Sequence, residues 1–288
     1  MLSYRHSYHA GNFADVLKHI TQIKILEHLL QKPKAFVYVD THAGAGRYDL
    51  HSPSSQKTAE FKQGIAQLWK RNDLPKEIQS YMHLIQQIQQ TQELTHYPGS
   101  PLIAQQIMPR NYRLELAELH SSEIKFLQQE FINCRNVNIH HKDGYLALKS
   151  VLPPIQRRGL ILIDPSYELK NEYHDVVKNL KSASKQFPTG IYAVWYPMIS
   201  RKVILDFCKR FKNSGIKNIL RIEMTVQADH EGYGMTGTGM IIVNPPWKLA
   251  KQMRNLLPWL CATLKQNEQA QFLVEQLVTP KSRYRKSQ

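Results

Sequence analysis

The stretch GLILIDPSYELK, residues 159–170, changes character in its middle. Its run LILI (160–163) is short, branched and apolar, which is typical of a strand that is buried on both faces of a sheet. The run ends abruptly in DPSY (164–167), which supplies a carboxylate, a rigid turn and an aromatic ring. A carboxylate and an aromatic ring placed directly after a buried strand predict a ligand site at the carboxyl edge of an α/β sheet.

The rest of the chain repeats this alternation of apolar runs and amphipathic segments. Strands are predicted at 35–40, 113–119, 137–140, 160–164, 191–196, 218–224 and 240–244. Helices are predicted at 13–30, 121–133, 145–151, 171–187 and 199–213, and Asn12 stands where the first of them would be capped. The pattern predicts an α/β fold with a seven-stranded, mostly parallel sheet that ends in an antiparallel hairpin.

Residues 50–98 break this rhythm. They contain no strand-like run and are rich in glutamine and helix formers, as in KEIQSYMHLIQQIQQ (76–90). We therefore expect a helical insertion subdomain over 50–98, inside a domain made of 1–49 and 99–288. Where the sheet resumes, Ser100 followed by Pro101 is expected to form a helix cap and the first helical residue.

The composition favours a polyanionic partner. The 288 residues include 38 Lys and Arg against 23 Asp and Glu, a formal charge of +15, although a charge that only keeps the protein soluble is an open alternative. No apolar run approaches the roughly 20 residues of a membrane span, and the polar N-terminus lacks a signal-peptide core. The cysteines, at 134, 208 and 261, are far apart, which indicates a reducing, cytoplasmic compartment.

The segment DTHAGAGRY (40–48) follows the first strand. Gly44 and Gly46 would let the backbone approach a ligand closely. A dinucleotide fingerprint would need a third glycine where Asp49 stands, and a P-loop would need G-K-[ST] in place of GRY. What remains is the loose D-x-x-x-G-x-G pattern of S-adenosylmethionine sites. A tight structural turn is an equal alternative.

Two acidic residues end the next two strands. Glu118 lies about where a Rossmann-like unit places an acid on ribose hydroxyls, and Asp143, before Gly144, could accept from an adenine amine. Each could instead be a turn residue or helix cap, but acids at successive strand ends favour a cofactor that carries a nucleoside. His140 and His141 stand near Asp143, yet no metal is expected because adjacent strand residues point to opposite faces.

The turn DPSY is similar to the [DNS]-P-P-[YFW] motif of amino-group methyltransferases. An exocyclic amine is a poor nucleophile because its lone pair is delocalised into the ring. Preorganised acceptors on its N–H groups would make the lone pair available for attack on a sulfonium methyl. Asp164 and the Pro165 carbonyl would be these acceptors, and Tyr167 would stack on a base taken out of its helix. The alternative is an Asp-Pro turn with a core tyrosine.

With these motifs in place, the chain closely resembles the RlmJ family of bacterial 23S ribosomal RNA adenine-N6 methyltransferases. The resemblance covers almost the whole length, through MLSYRHSYHAGNFADVLKH, DTHAGAGRY, YPGSPLIA, ELH, RRGLILIDP and GMIIVNPPWKL. It implies a Rossmann-like class I methyltransferase domain with a small helical insertion, S-adenosyl-L-methionine as cofactor and 23S ribosomal RNA as partner. We expect a monomer without metal.

The resemblance also implies roles for single residues. The matching cofactor contacts are His19, His42, Ser100, Glu118, Asp143, Gly144 and Asp164. Asp164 also matches the family's proton acceptor, and Tyr4 matches a contact to RNA. From charge alone, further candidates for RNA contacts are Arg5, Lys18, Arg157 and Arg158, of which the last two could equally be a solvated loop.

One departure bears on activity. Ser166 stands where the family pattern has a second proline. The missing ring is expected to loosen the turn by roughly 0.4–1 kcal/mol, and a displaced acceptor could slow methyl transfer or abolish it.

Two other functions stay open. A DNA adenine-N6 methyltransferase would use the same amine chemistry, although sequence-specific DNA work would call for a larger recognition domain than 50–98. A non-catalytic nucleic-acid-binding factor, involved in the use of external DNA, could keep the cofactor fold. Retention of acids at the first four strand ends favours the enzyme.

Overall fold

The computed structural model describes residues 5–89, 91–169, 171–228 and 234–280. Its strands are β1 (Val37–Asp40), β2 (Arg47–Asp49), β3 (His96–Pro98), β4 (Arg113–Ala117), β5 (Val137–His140), β6 (Gly159–Ile163), β7 (Ile191–Met198), β8 (Ile219–Thr225), β9 (Gly237–Val243) and β10 (Phe272–Val278). Its α-helices are α1 (Phe13–Leu30), α2 (Pro53–Thr58), α3 (Ala66–Trp69), α4 (Lys76–Gln87), α5 (Ser100–Ile107), α6 (Glu123–Glu130), α7 (Gly144–Val151), α8 (Glu172–Gln186), α9 (Arg201–Asn213) and α10 (Leu249–Leu264).

The central sheet has eight strands in the order β10-β8-β9-β7-β6-β1-β4-β5. The five strands from β7 to β5 are parallel, whereas β9 and β10 are antiparallel to their neighbours. The predicted α/β class, the mostly parallel sheet and the β8–β9 hairpin are therefore confirmed. The predicted count of seven strands is wrong. The missed strand, β10, is an exposed edge strand that carries Glu275 and Gln276, so it lacks the apolar run of the others.

The register of the sheet brings four strand ends together. Asp40, the last residue of β1, is aligned with Leu116 of β4 and with Leu162 of β6, and Ala117 is aligned with His140 of β5. Because these strands are parallel, the loops that leave them all begin at the same edge of the sheet. The glycine turn, the two acids and the DPSY turn follow directly from this edge.

Helix α1 lies deep in the protein. The Asn12 side chain caps it by accepting from the amides of Ala14 and Asp15, as predicted. The helix contacts the sheet at β6, β7 and β9, and it also packs on α4, α5 and α10. With neighbours on all of these sides, even polar residues of α1 are buried, namely Asp15, Lys18, His19, Thr21, Gln22 and Lys24. Such residues must find partners inside the protein.

The interval 50–98 contains three short or medium helices, α2 to α4, but the expectation that it holds no strand is wrong. Its last residues form β3, which pairs antiparallel with β2. A strand of three residues that ends in Pro98 is too short to produce a visible alternation. Ser100 is also corrected, because Gly99 is the capping position and Ser100 is the first residue of α5.

Candidate cofactor and transfer site

A cavity of about 500 Å³ opens at the carboxyl edge of the parallel strands. It is lined by every residue that was predicted to contact the cofactor, namely His19, His42, Ser100, Glu118, Asp143, Gly144 and Asp164. These residues come from α1, from α5, from α7 and from the loops that follow β1, β4, β5 and β6. A cavity of this size and position is typical of a small-molecule site.

The turn after β1 is organised by a buried carboxylate. Asp40 is fully buried, and its Oδ2 accepts from the Tyr38 and Ser100 hydroxyls at 2.7 Å each. Its Oδ1 accepts from the His42 amide at 3.2 Å. Burial raises the pKa of Asp40 to about 6, against the opposing effect of these hydrogen bonds. Ser100 therefore joins α5 to the glycine turn through Asp40.

Glu118 completes the glycine turn from the neighbouring strand. Its Oε2 accepts from the Gly44 amide at 2.7 Å, and its Oε1 accepts from the His120 amide at 2.6 Å. Gly44 has a φ of +63°, in the left-handed region that glycine adopts without strain. An ionised carboxylate has about four acceptor sites, so Glu118 can hold this turn and still accept from a ligand hydroxyl.

Asp143 is both a cavity residue and a helix cap. Its Oδ1 accepts from the amides of Tyr145 and Leu146 at 2.9 Å each, which begins α7. Gly144 follows because a Cβ there would lie 2.0 Å from the Thr41 carbonyl oxygen. The cap interpretation is thus correct for Asp143, and it leaves the second carboxylate oxygen available for a ligand.

The carboxylate of Asp164 is held by a buried cation. Lys18 Nζ lies 2.6 Å from Asp164 Oδ2 and 2.8 Å from Asp15 Oδ1. Burial lowers the pKa of Lys18, but the two carboxylates outweigh burial and raise it above its ordinary value. Burial likewise opposes ionisation of Asp15, whose pKa nevertheless lies well below its ordinary value because His6 and Lys18 are close. The site therefore contains a fixed chain of charges that ends at Asp164.

Lys18 is not the surface contact to RNA that the sequence predicted. Only 4% of its side chain is exposed, and its ammonium is shared between two carboxylates. Arg158 is corrected in the same way, because its guanidinium donates to the carbonyls of Leu29 and Lys34. Arg157 and Arg158 precede β6, at the opposite edge of the sheet from the cavity. Arg5 is exposed.

Tyr167 is placed differently from its predicted role. The residue is 8% exposed, and its hydroxyl donates to the Trp195 carbonyl at 2.7 Å. Its ring packs on Tyr173 and Trp195, with centroid separations of 4.5 and 5.8 Å. The cavity is lined by Pro165 and Ser166 but not by this ring. In this conformation Tyr167 supports the turn from within, as in the core-tyrosine alternative, and the stacking role is not supported.

The two predicted histidines, His19 and His42, both line the cavity. Burial lowers the pKa of His42, and it lowers the pKa of His19 well below the ordinary value. Nδ1 of His19 contacts the Tyr97 hydroxyl at 2.8 Å, whereas its buried Nε2 has no hydrogen-bond partner in the described part of the chain. A buried ring nitrogen without a partner is uncommon and needs an explanation.

Two further sequence predictions concern the contact of Tyr4 to RNA and the absence of a metal. Tyr4 lies outside the described residues, so its predicted contact to RNA is not placed. Within the described ranges, no cluster of three His, Cys, Asp or Glu side chains could hold a metal ion. Nε2 of His140 instead lies 2.7 Å from Glu115, while His141 contacts the Leu119 carbonyl. All three cysteines are free.

Comparison with known proteins decides the family. The family model described as "Ribosomal RNA large subunit methyltransferase D, RlmJ" matches residues 33–278. The chain belongs to this family. The predicted resemblance is therefore confirmed.

Two curated relatives are both named "Ribosomal RNA large subunit methyltransferase J". The protein of Escherichia coli (strain K12) is 48% identical over 264 residues, which is 92% of this chain and 94% of that protein. The protein of Haemophilus influenzae (strain ATCC 51907 / DSM 11121 / KW20 / Rd) is 46% identical over 281 residues, 97% of this chain and 100% of that protein.

A solved structure has the same fold. It is the crystal structure of a Legionella pneumophila str. Philadelphia 1 protein, 37% identical to this chain. The superposition covers 93% of this chain and 98% of that one, with a TM-score of 0.86. In the described part of this chain, no helix is long and apolar enough to span a membrane.

Proposed function

We propose that the protein transfers a methyl group from S-adenosylmethionine to the exocyclic N6 amine of an adenine in 23S ribosomal RNA. The observation that carries the proposal is the position of Asp164, at the carboxyl end of β6 and on the wall of the cavity that collects the predicted cofactor residues. Family membership supports the methyl transfer and the class of RNA. The turn DPSY supports an amine as the acceptor.

The cavity fits the cofactor. Glu118 and Asp143 offer carboxylate oxygens for ribose hydroxyls and an adenine amine, and Gly144 leaves room where a side chain would meet Thr41. The unpartnered Nε2 of His19, on the α1 side, is a buried polar atom that a ligand would satisfy. When bound, S-adenosylmethionine supplies an electrophilic methyl group on a sulfonium sulfur.

Asp164 would act on the substrate amine. Its Oδ2 is engaged by Lys18, so Oδ1 is the oxygen that can accept an N–H of the amine. The Pro165 carbonyl would accept the other N–H. These two acceptors would draw the amine toward a tetrahedral geometry, so that its lone pair is no longer delocalised into the ring as positive charge develops on the nitrogen. The same carboxylate would be the base that takes the released proton.

Lys18 would position this carboxylate rather than touch the RNA. The ammonium lies at the hydrogen-bond distance of 2.6 Å and is itself anchored by Asp15 on the preceding turn of α1. A preorganised charge avoids reorganisation during transfer, which is the main source of electrostatic catalysis. Holding Oδ2 fixes the direction in which Oδ1 points.

The three helices between β2 and β3 bear on how the chain is divided into domains. We assign residues 50–98 to a helical insertion subdomain in a methyltransferase domain of 1–49 and 99–288, because α2 to α4 interrupt the alternation of strands and helices between the paired strands β2 and β3. Because ribosomal RNA is the proposed substrate, we infer that the protein acts in the cytoplasm. We also expect it to act as a monomer.

The test is the modification state of ribosomal RNA in cells with and without the gene. Mass spectrometry of 23S RNA fragments should find one N6-methyladenine in the parent strain that is absent from the deletion strain. Its return on complementation with the wild-type gene, but not with an Asp164→Ala gene, would link the loss to this site. Identical modification in parent and deletion strains would contradict the proposal.

A further inference from the structure

Three buried side chains connect the helical interval 50–98 to the cavity. The Tyr81 hydroxyl on α4 lies 3.0 Å from the Tyr97 hydroxyl on β3, which lies 2.8 Å from Nδ1 of His19 on α1. Their exposed fractions are 1%, 0% and 1%. The rings of His19 and Tyr97 are also stacked, with centroids 5.5 Å apart. Only His19 of the three lines the cavity.

The direction of these hydrogen bonds can be worked out from the donors. If the Tyr81 hydroxyl donates to Tyr97, the Tyr97 hydroxyl is free to donate to Nδ1 of His19. If the direction is reversed, two buried groups have no partner among the described residues, the Tyr81 O–H and Nε2 of His19, whereas the first direction leaves one such group of this chain unpaired, the Nε2–H. A buried donor without an acceptor costs about 1–3 kcal/mol. The first direction is therefore favoured.

This direction fixes the tautomer of the histidine. A neutral imidazole carries one proton, so a ring that accepts at Nδ1 carries its proton on Nε2. Burial lowers the pKa of His19 well below its ordinary value, which keeps the ring neutral. Nε2 is buried and has no hydrogen-bond partner among the described residues. The Nε2–H of His19 is therefore a fixed donor at the cavity wall that a ligand acceptor could bind.

The acceptor can be assigned by chemistry and position. Glu118 and Asp143 stand at the ends of β4 and β5 and are assigned to the adenosine part of the cofactor. His19 approaches from α1, which packs on α5, the helix that begins at the cavity residue Ser100. The remaining part of the cofactor is its methionine, which carries the only anionic group of that molecule, a carboxylate. A charged acceptor gives the stronger hydrogen bond.

We propose that Tyr97, supported by Tyr81, is a positioning residue that holds His19 as the Nε2–H tautomer for the carboxylate of the cofactor's methionine portion. The inference rests on the proposed function, since it requires the cofactor to occupy this cavity. It gives the helical interval a part in cofactor binding, although neither tyrosine touches the cavity. The link runs through the hydroxyl of Tyr97.

The test is calorimetric titration with two ligands. S-adenosylhomocysteine carries the carboxylate, whereas 5′-methylthioadenosine has the same adenosine but no amino acid. Tyr97→Phe should weaken S-adenosylhomocysteine binding up to about tenfold, because the His19 tautomer that donates to the carboxylate is no longer favoured, and should leave methylthioadenosine binding unchanged. Tyr81→Phe should act in the same direction with a smaller effect. In a His19→Ala background, Tyr97→Phe should cause no additional loss.

A matched control is Tyr192→Phe. Tyr192 is also fully buried, and its hydroxyl donates to the carbonyls of Ala183 and Phe187, away from the cavity. The control should keep the affinity for both ligands. Nitrogen-15 spectra of labelled histidine, with the His19 signal identified by its loss in His19→Ala, should give the Nε2–H pattern in the wild type.

The outcomes separate the inference from the proposed function. No binding of S-adenosylhomocysteine by the wild type would overturn both. Wild-type binding with unchanged affinity in Tyr97→Phe, or an equal loss for both ligands, would overturn the inference alone. An Nδ1–H pattern for His19 in the wild type would do the same.

Discussion

The turns that follow β1 and β6 begin with an aspartate at the same edge of the sheet, but they are held in different ways. Asp40 is fully buried, and both of its oxygens accept hydrogen bonds from neutral donors of the protein. The Asp164 side chain is 12% exposed, and among the described residues one cation, Lys18, engages one of its oxygens. The first turn is therefore completed by the protein itself, whereas the second retains an open acceptor.

The difference indicates that the two turns have different roles, one in cofactor binding and the other in methyl transfer. A carboxylate whose bonding capacity is used inside the protein shapes the backbone around a ligand. A carboxylate that is fixed at one oxygen and open at the other is suited to bind a group that appears only during the reaction. We expect changes near the β1 side to affect cofactor affinity or stability, and changes at the β6 turn to affect rate.

The largest effect is expected at Asp164. Asp164→Ala should slow single-turnover methyl transfer by about 10²–10³-fold, because an acceptor used mainly in the transition state is lost. Asp164→Asn keeps a neutral acceptor and should be the milder change. RNA affinity, measured by filter binding, should stay within about threefold in both variants. The control Asp206→Ala, on the exposed side of α9, should keep the wild-type rate. A loss of RNA affinity equal to the loss of rate would contradict the assignment of the β6 turn to the transfer step.

Asp143 should behave in the opposite way. Asp143→Ala should weaken binding of S-adenosylmethionine and of S-adenosylhomocysteine by about 1–3 kcal/mol in calorimetry, through loss of a buried acceptor. Asp143→Ser retains a capping oxygen for α7, so it separates ligand contact from helix capping. If the serine variant binds like the wild type, the carboxylate acts only as a cap and its assignment to the cofactor fails.

The buried carboxylate of Asp40 should be visible in the pH dependence of stability. Its folded-state pKa of about 6 is above its unfolded value, so the folded state binds the extra proton and stability from this group falls as pH rises toward 7. Between pH 5 and 7.5 the wild type should lose about 1 kcal/mol relative to Asp40→Asn, which cannot titrate. Denaturant unfolding of both proteins at the two pH values measures this difference. A constant difference would show that Asp40 ionises normally.

The smallest effect is expected at Ser166. Ser166→Pro restores the family's turn and should give an equal rate or one up to about fivefold higher, since the gain in turn rigidity is roughly 0.4–1 kcal/mol. Ser166→Ala lacks the hydroxyl but adds no ring, so it is the matched control. Single-turnover rates compare the two variants. A wild-type protein that is inactive until the proline is restored would mean that this turn has disabled the enzyme.

Periodicity and strand-end residues were sufficient to predict most of the fold. The parallel strands and the β8–β9 hairpin follow from apolar runs that a buried sheet requires. The exposed strand β10 and the three-residue strand β3 could not be found in this way, because Glu275 and Gln276 interrupt the apolar run of the first and the second is too short to alternate. Edge strands lose the hydrophobic signal together with the burial.

The wall of the site was also predictable, but its internal contacts were not. Strand-end spacing named Glu118, Asp143 and Asp164, because parallel strands bring their ends together, whereas the family resemblance was needed to add the other cofactor residues that line the cavity, namely His19, His42, Ser100 and Gly144. The ion pair of Lys18 with Asp164 joins residues 146 positions apart, and periodicity carries no information on such a contact. Lys18 is basic, so it was named as a candidate RNA contact, whereas in the structure it is buried between two carboxylates. The hydrogen bonds that link Tyr81, Tyr97 and His19 were also missed, because they too join residues that are far apart in the sequence.

The central claim is tested most directly by the product of the purified protein. Methyl-labelled S-adenosylmethionine is incubated with unmodified large-subunit RNA, and in parallel with duplex DNA, before digestion to nucleosides and mass spectrometry. The account predicts label in N6-methyladenosine from the RNA, about one methyl group per molecule, and none from DNA. Label in another nucleoside, label from DNA alone, or no label in either polymer from a protein that binds the cofactor would contradict it.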